Sequence, residues 1–364
     1  MVAQLVTLGA LLLSAALFGA GVAPALAAPQ HLARGAHPAR LAHSVAAPAP
    51  AVLAASIATK VVLPETSIDG PALASIIPTA PNETTQSVLG WTGTDAVHHL
   101  NVETSSDGLH FGNKLTLDET SPFRPAVTLL TQSGPFSIAW TGTDANHSLN
   151  VEWDVLGNHP TKLTLRQENS FTAPGLLQGE SGPNDNLLFL AWTGTDANHS
   201  LNILPITIST TTFTFTLGAK HVLSQFSSNA GPQLSPAGFN PQGGTNSIAL
   251  NWTSRALQPM AAIGNFPDLL FSSIATLPET SAVAPDTAFH VEVQNGPTWI
   301  SWTGTDAAHH LNLESTTTFP SFPNPKTILG DTAFGGPALA LNDGNQLAWT
   351  GTDAAHHLNI AKFA

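Results

Sequence analysis

The chain has 364 residues, 24 acidic and 11 basic side chains, no cysteine and no tyrosine, which excludes disulfides, thiolate nucleophiles and cysteine–zinc sites. Before residue 58 the only charged side chains are Arg34 and Arg40, so the remainder carries 24 acidic against 9 basic groups, a balance that repels phosphate backbones and argues against nucleic-acid partners. With 29 Gly, 28 Pro and only 10% charged residues, the chain is turn-rich and is not a helical bundle.

Leu5 to Leu26 is almost wholly apolar and ends Ala25-Leu26-Ala27 before Ala28-Pro29, the small-x-small pattern of a signal-peptide cleavage site. Residues 1–27 are therefore read as a leader, although it lacks a basic n-region; an uncleaved membrane anchor is the competing reading. Residues 28–57 are Ala, Pro and His with no aromatic, and read as a disordered linker in which His31, His37 and His43 are solvated. The expected location is the cell surface or the medium, with no membrane span once the leader is cut.

From residue 58 one unit is written six times. Trp-Thr-Gly-Thr-Asp-Ala begins at Trp91, Trp140, Trp192, Trp302 and Trp349, and a decayed copy, Asn251-Trp252-Thr253-Ser254-Arg255, fills the gap. Each intact copy is followed by His and then Leu-Asn, at Leu100-Asn101, Leu149-Asn150, Leu201-Asn202, Leu311-Asn312 and Leu358-Asn359. Two weaker signals keep the same beat. Lys-x-x-Leu with a following acid or amide begins at Lys60, Lys114, Lys162, Lys220 and Lys326, with Leu277-Pro278-Glu279 as a copy lacking Lys. A proline opens an apolar run at Pro71, Pro125, Pro174, Pro232, Pro285 and Pro337.

Each of the four segments reads as a strand. Two residues before every Trp stands an aliphatic side chain (Leu89, Ile138, Leu190, Leu250, Ile300, Leu347), and one before it a small or short residue. Four strands in about 50 residues, six times over, predict an all-β, six-bladed β-propeller with four antiparallel strands per blade. The chain ends just after Leu358-Asn359, without a Lys-x-x-Leu segment, while a spare one, Lys60 to Leu63, precedes the first unit. The N-terminal strand is therefore expected to close the last blade, because an open ring leaves an unpaired edge.

The order of segments, with Ser105-Ser106-Asp107-Gly108-Leu109-His110-Phe111 before the fourth strand, resembles the Asp-box repeats of sialidase-like propellers. Its counterparts Glu152-Trp153-Asp154-Val155 and Glu314-Ser315-Thr316-Thr317 have lost most of the motif. The resemblance implies that the Asp-box turns lie away from the ligand face. It puts the Thr-Gly-Thr-Asp-Ala-x-His loops on that face, beside the corners Glu65-Thr66-Ser67, Glu119-Thr120-Ser121 and Glu279-Thr280-Ser281. The family's enzymes use a Tyr–Glu nucleophile and three Arg that clamp a carboxylate. This chain has no Tyr, and beyond the linker only Arg124, Arg166 and Arg255, of which Arg124 alone matches a family position.

For the six Trp residues (Trp91, Trp140, Trp192, Trp252, Trp302, Trp349) the expectation is structural packing between blades. For the loops it is turn chemistry, with Gly supplying a positive φ and Asp bonding nearby backbone N–H groups. The functional alternative is a repeated sugar site on Asp95/His98, Asp144/His147, Asp196/His199, Asp306/His309 and Asp353/His356, several weak sites gaining affinity together. The reading is an exported, non-catalytic module that binds glycans or cell-surface polysaccharide, with no catalytic residues, metal or cofactor. Its alternatives are a sialidase-like glycoside hydrolase and a purely structural or protein-interaction propeller. The sequence carries no signal of oligomeric state.

Overall fold

Successive strand side chains point to opposite faces, so a strand that alternates bulky and small residues offers two unlike surfaces to its neighbours. The computed structural model describes residues 55–76, 86–129, 136–179, 185–237, 247–289, 296–341 and 345–363, which contain strands and no helix. The leader and the linker to residue 54, with its three histidines, lie outside those residues.

Six sheets form a ring, each with four strand positions from the centre outward. Blade I is β2 (Ala72–Ile76), β3 (Gln86–Thr92), β4 (His99–Ser105) and β5 (Gly112–Thr120). Blade II is β6 (Ala126–Leu129), β7 (Phe136–Thr141), β8 (Ser148–Trp153) and β9 (Thr161–Asn169). In blade III, β10 (Gly175–Gln178) and β11 (Asp185–Thr193) precede a long β12 (Ser200–Ser209), whose outer side is shared by β13 (Phe215–Leu217) and β14 (His221–Ser227). Blade IV is β15 (Gln233–Pro236), β16 (Ser247–Thr253), β17 (Pro259–Asn265) and β18 (Leu270–Thr276). Blade V is β19 (Asp286–Phe289), β20 (Thr298–Thr303), β21 (His310–Thr316) and β22 (Thr327–Thr332). Blade VI takes β23 (Ala338–Ala340), β24 (Gln346–Thr350) and β25 (His357–Phe363) from the end of the chain, and β1 (Ile57–Thr66) from its start. Strand β1 runs antiparallel to β25 with Val61 opposite Ile360 and Val62 opposite Asn359, so the predicted closure is present.

The Trp strands explain why the blades stack. Each Trp and the aliphatic residue two before it are essentially inaccessible, and they pack toward the preceding blade. Trp140 of blade II, for example, joins Leu100 and Val102 of blade I, and Trp91 joins Leu358 and Ile360 of blade VI. The small residue between them faces the next blade. A Cβ on Gly90 would sit 2.7 Å from Val127 Cγ1 in blade II, so only glycine allows that approach.

A second seam device escaped sequence reasoning. The Thr after every Trp donates its hydroxyl to a backbone carbonyl in the next blade's entry turn. The pairs are Thr92 to Phe123, Thr141 to Thr172, Thr193 to Ala230, Thr253 to Val283, Thr303 to Gly335 and Thr350 to Asp69, all at 2.5–2.8 Å. The decayed copy in blade IV keeps this bond, which marks the Trp-Thr pair as structural.

These bonds also put the second-to-third strand loops and the blade-to-blade corners on one face. Thr66 meets Thr94, Thr120 meets Thr143, Thr280 meets Thr305 and Thr332 meets Thr352 there, hydroxyl to hydroxyl. The inner strands surround a central channel of about 500 Å³.

Candidate functional site

The five Thr-Gly-Thr-Asp-Ala loops share one geometry. In blade I the Asp95 carboxylate accepts from the backbone N–H of Val97 and His99 and from His99 Nδ1, the last at 2.9 Å. Asp306 with His310 and Asp353 with His357 repeat this at 2.8 Å. In blades II and III, Ser148 and Ser200 replace the second histidine and donate their hydroxyls to Asp144 and Asp196 at 3.1 Å. Desolvation pushes these five carboxyls up, but the hydrogen bonds outweigh it and hold each below the ordinary aspartate range.

One expectation about the turn is corrected. The loop glycines do not take the positive φ; the histidines do, with φ of 62° at His98, 51° at His147 and His199, 57° at His309 and 59° at His356. Glycine is needed for space instead. A Cβ on Gly93 would lie 2.8 Å from Asp95 Oδ2 and 2.9 Å from Asn101 Nδ2, and the other four copies repeat that crowding. The Asn of each Leu-Asn pair donates to the carbonyl two residues before it, closing the same turn.

Imidazoles are left facing outward. His98, His147 and His309 each point Nδ1 at the loop-glycine carbonyl at 3.3 Å. A carbonyl only accepts, so Nδ1 carries the proton, and in the neutral ring Nε2 is then the acceptor. Two aromatic rings adjoin the loops: Phe171, 62% exposed, stands edge-on to His147 with centroids 5.3 Å apart, and Phe334, 43% exposed, lies 4.4 Å from His356. No repeat marked either phenylalanine in the sequence. Blade IV makes a shortened version of the turn, Leu257 N–H to Ser254 O at 2.8 Å with Leu257 at φ 64°, and it has neither Asp nor His.

The Lys-x-x-Leu beat builds the outer seams. Lys60 pairs with Asp331, Lys114 with Glu65, Lys162 with Glu119, Lys220 with Glu168 and Lys326 with Glu279, each lysine reaching the preceding blade. Four of these ammonium groups lie 5.0–5.8 Å from the centroid of their own blade's Trp ring. Beneath three pairs sits a further carboxyl, Glu103, Glu152 or Glu314, raised above the ordinary glutamate range by desolvation and by the neighbouring Glu65, Glu119 or Glu279. For Glu314 the value reaches about 7, against 4.5 for a free glutamate.

The folded state thus holds the Glu314 proton longer than the unfolded chain does, and stability is lost as pH rises from about 4.5 to about 7. Glu314→Gln should remove that decline, gaining on the order of 1 kcal/mol over the parent by pH 8 after solvent screening. Urea unfolding of both proteins at pH 5 and pH 8 checks this; parallel curves with no added gain at pH 8 contradict it.

Arg124, the one sialidase-matching arginine, is 4% exposed and already engaged. Its Nη1 donates to the carbonyls of Gly336 and Pro337 in the entry to blade VI at 3.2 and 3.3 Å, and its backbone N–H donates to Asp69 Oδ2 at 3.1 Å. It also faces the buried Asp286 of blade V, directly across the ring. Burial pushes the Asp286 carboxyl up to about 6, against the pull of the Leu339 N–H and the Arg124 charge. This side chain ties the ring together at the loop-face end of the channel. Asp107 accepts from the Leu109 and His110 N–H groups and from Ser105 Oγ, with Gly108 at φ 71°; this turn joins β4 to β5 and so lies at the end of the blade opposite the β3–β4 loop. Among the described residues no three His, Asp or Glu gather as a metal site.

No protein-family model and no curated protein matches the sequence. Solved structures match its fold. The fucose-specific lectin of Aleuria aurantia is 12% identical, covers 82% of this chain and 95% of its own, and superposes with a TM-score of 0.57. Another structure of that lectin, described as a six-bladed β-propeller with a novel fucose recognition mode, is 11% identical over 83% and 96% of the two chains, with a TM-score of 0.56. A protein of unknown function from Dyadobacter fermentans DSM 18053 is 12% identical over 86% and 99%, with a TM-score of 0.55. At these identities the likeness is one of fold.

Proposed function

We propose that this protein is an exported, non-catalytic carbohydrate-binding propeller whose repeated loops recognise glycans. One observation carries the reading. Blade IV closes a turn two residues shorter without Asp or His, while the five longer loops on one face all keep both. The five loops offer partly exposed carboxylates, and His98, His147 and His309 also offer a ring nitrogen that can accept, groups that pair with sugar hydroxyls. Phe171 and Phe334 add an apolar surface suited to the C–H face of a sugar ring. The fold shared with fucose-binding lectins supports the same class of ligand. The Ser105–Asp107 turn supports a distant kinship with Asp-box propellers, but the missing Tyr and the engaged Arg124 count against sialidase chemistry.

A glycan array and a fluorogenic sialoside assay on protein from Ala55 onward test this together. The expected result is binding without turnover, reduced several-fold in a Phe171→Ala/Phe334→Ala variant, since an aromatic contact is worth about 1 kcal/mol. Turnover of the sialoside contradicts the reading in favour of a hydrolase. An array without any bound glycan leaves a structural or protein-interaction propeller.

A further inference from the structure

We infer that the seam between blades IV and V holds a second kind of carbohydrate subsite, a pocket for one neutral sugar ring, separate from the repeated loops; it rests on the carbohydrate reading above. The pocket has a volume of about 180 Å³, and none of its lining residues belongs to a Thr-Gly-Thr-Asp-Ala loop. Liquid water occupies about 30 Å³ per molecule, so some six waters would fill it, the scale of a single ring with its hydroxyls.

Its chemistry is mixed and nearly charge-balanced. Leu277 of blade IV and Phe322 of blade V form an apolar wall that packs on Ile300 and Trp302. Facing it are the Glu279–Lys326 ion pair and the carboxyl of Glu314. Glu314 is 7% exposed, lines the pocket, and has no hydrogen bond to its side chain among the described residues. The Lys326 charge lies near it, and a ligand hydroxyl can add the hydrogen bond that its carboxyl lacks. Asn324 is held by its Nδ2 donating to Ser315 O at 2.8 Å, which leaves its carbonyl oxygen to accept.

An anionic ligand would meet two carboxyl groups here, and a cationic one would meet Lys326. A polyol, donor and acceptor at every hydroxyl, matches both sets. The seams of blades VI–I and I–II carry the same Glu–Lys–Glu arrangement, but there Lys114 and Lys162 lie over their Trp rings. In blade V the β21–β22 connection supplies Pro320, Phe322, Asn324 and Pro325 as further walls.

The test uses free methyl glycosides of fucose, galactose, mannose and N-acetylglucosamine at about 10 mM, enough to half-fill a site of similar Kd. Saturation-transfer NMR reads binding. In protein with all five loop aspartates changed to Asn, Thr276→Trp fills the rim from an exposed position and Phe322→Ala removes the apolar wall; each is expected to weaken binding of at least one glycoside about tenfold, a step of 1.4 kcal/mol. Glu314→Gln, which keeps the shape and a donor, should retain affinity at pH 6 within about threefold. A variant with all five loop aspartates changed to Asn should keep this binding while losing the array signal. The inference is overturned if no glycoside shows transfer, or if transfer disappears with the loop aspartates or survives both pocket substitutions. Loss with the loop aspartates would leave the loop reading standing.

Discussion

Protein that begins at Ser67 should fail to melt as a cooperative monomer. Removing β1 strips β25 of its outer partner and exposes a row of unpaired backbone groups. It also takes Leu63, 5% exposed, out of the cluster that packs around Trp91 between blades VI and I. Two ion pairs go with it, Lys60–Asp331 over Trp349 and Glu65–Lys114 over Trp91. One buried leucine is worth about 2 kcal/mol, and ten strand residues with two seams multiply that to more than about 5 kcal/mol. Domains of this kind are stable by roughly 5–15 kcal/mol, so the deletion consumes most or all of it. Calorimetry and size-exclusion chromatography of proteins beginning at Ala55 and at Ser67 make the comparison. Aggregation or a broad, early transition is expected; an unchanged melting temperature in a monomer contradicts closure by β1.

Arg124→Met carries the second large effect. The guanidinium comes from blade II, bonds carbonyls at the entry to blade VI and faces Asp286 of blade V, so one side chain links three blades. Methionine removes those bonds and leaves Asp286 buried without its cation. Losing two hydrogen bonds donated by a buried charged group costs about 3 kcal/mol. The pH dependence follows from the sign of the Asp286 shift. Its folded pKa already stands at about 6, above the ordinary 3.8, so its ionisation disfavours the fold as pH rises through that range. Without Arg124 the folded pKa moves higher still, and the penalty of the variant should grow from pH 5 to pH 8. Denaturant midpoints at both values check this. A loss that is small and equal at the two pH values would show that Arg124 does not hold the ring.

Much of the architecture was legible because the repeat states it six times. Period-2 alternation around each Trp, a proline at each inner strand and the displaced Lys60–Leu63 segment together fix the blade count, the strand order and the closing strand. The extra hairpin of blade III was visible only as a break in the rhythm. Its tip residue Phe213 lies against Trp153 and stacks on His159 of blade II, a contact between segments 54 to 60 residues apart that no local pattern announces.

The motif marks the five turns between second and third strands, but their physics was only half readable. Glycine in a turn suggested a positive φ, whereas the strained position belongs to the histidine and the glycine makes room for the Asp carboxylate. That distinction depends on how the side chain folds back over its own turn. In the sequence the seam lysines mark only the outer strands. Their pairing with acids of the preceding blade depends on which strands end up adjacent, and it became apparent only in the ring. Phe171 and Phe334 had no repeat to flag them, and Arg124 looked like a ligand-binding residue until its hydrogen bonds across the ring were seen.

The most direct measurement sets a soluble glycoside against the same sugar displayed densely on a surface, with loop aspartates changed to Asn one at a time. Several weak, equivalent sites on one face predict surface binding about 10²–10⁴ times tighter than the soluble Kd, falling stepwise as each loop is altered. Equal affinity in the two formats, or surface binding that persists with all five loops altered, would contradict the account.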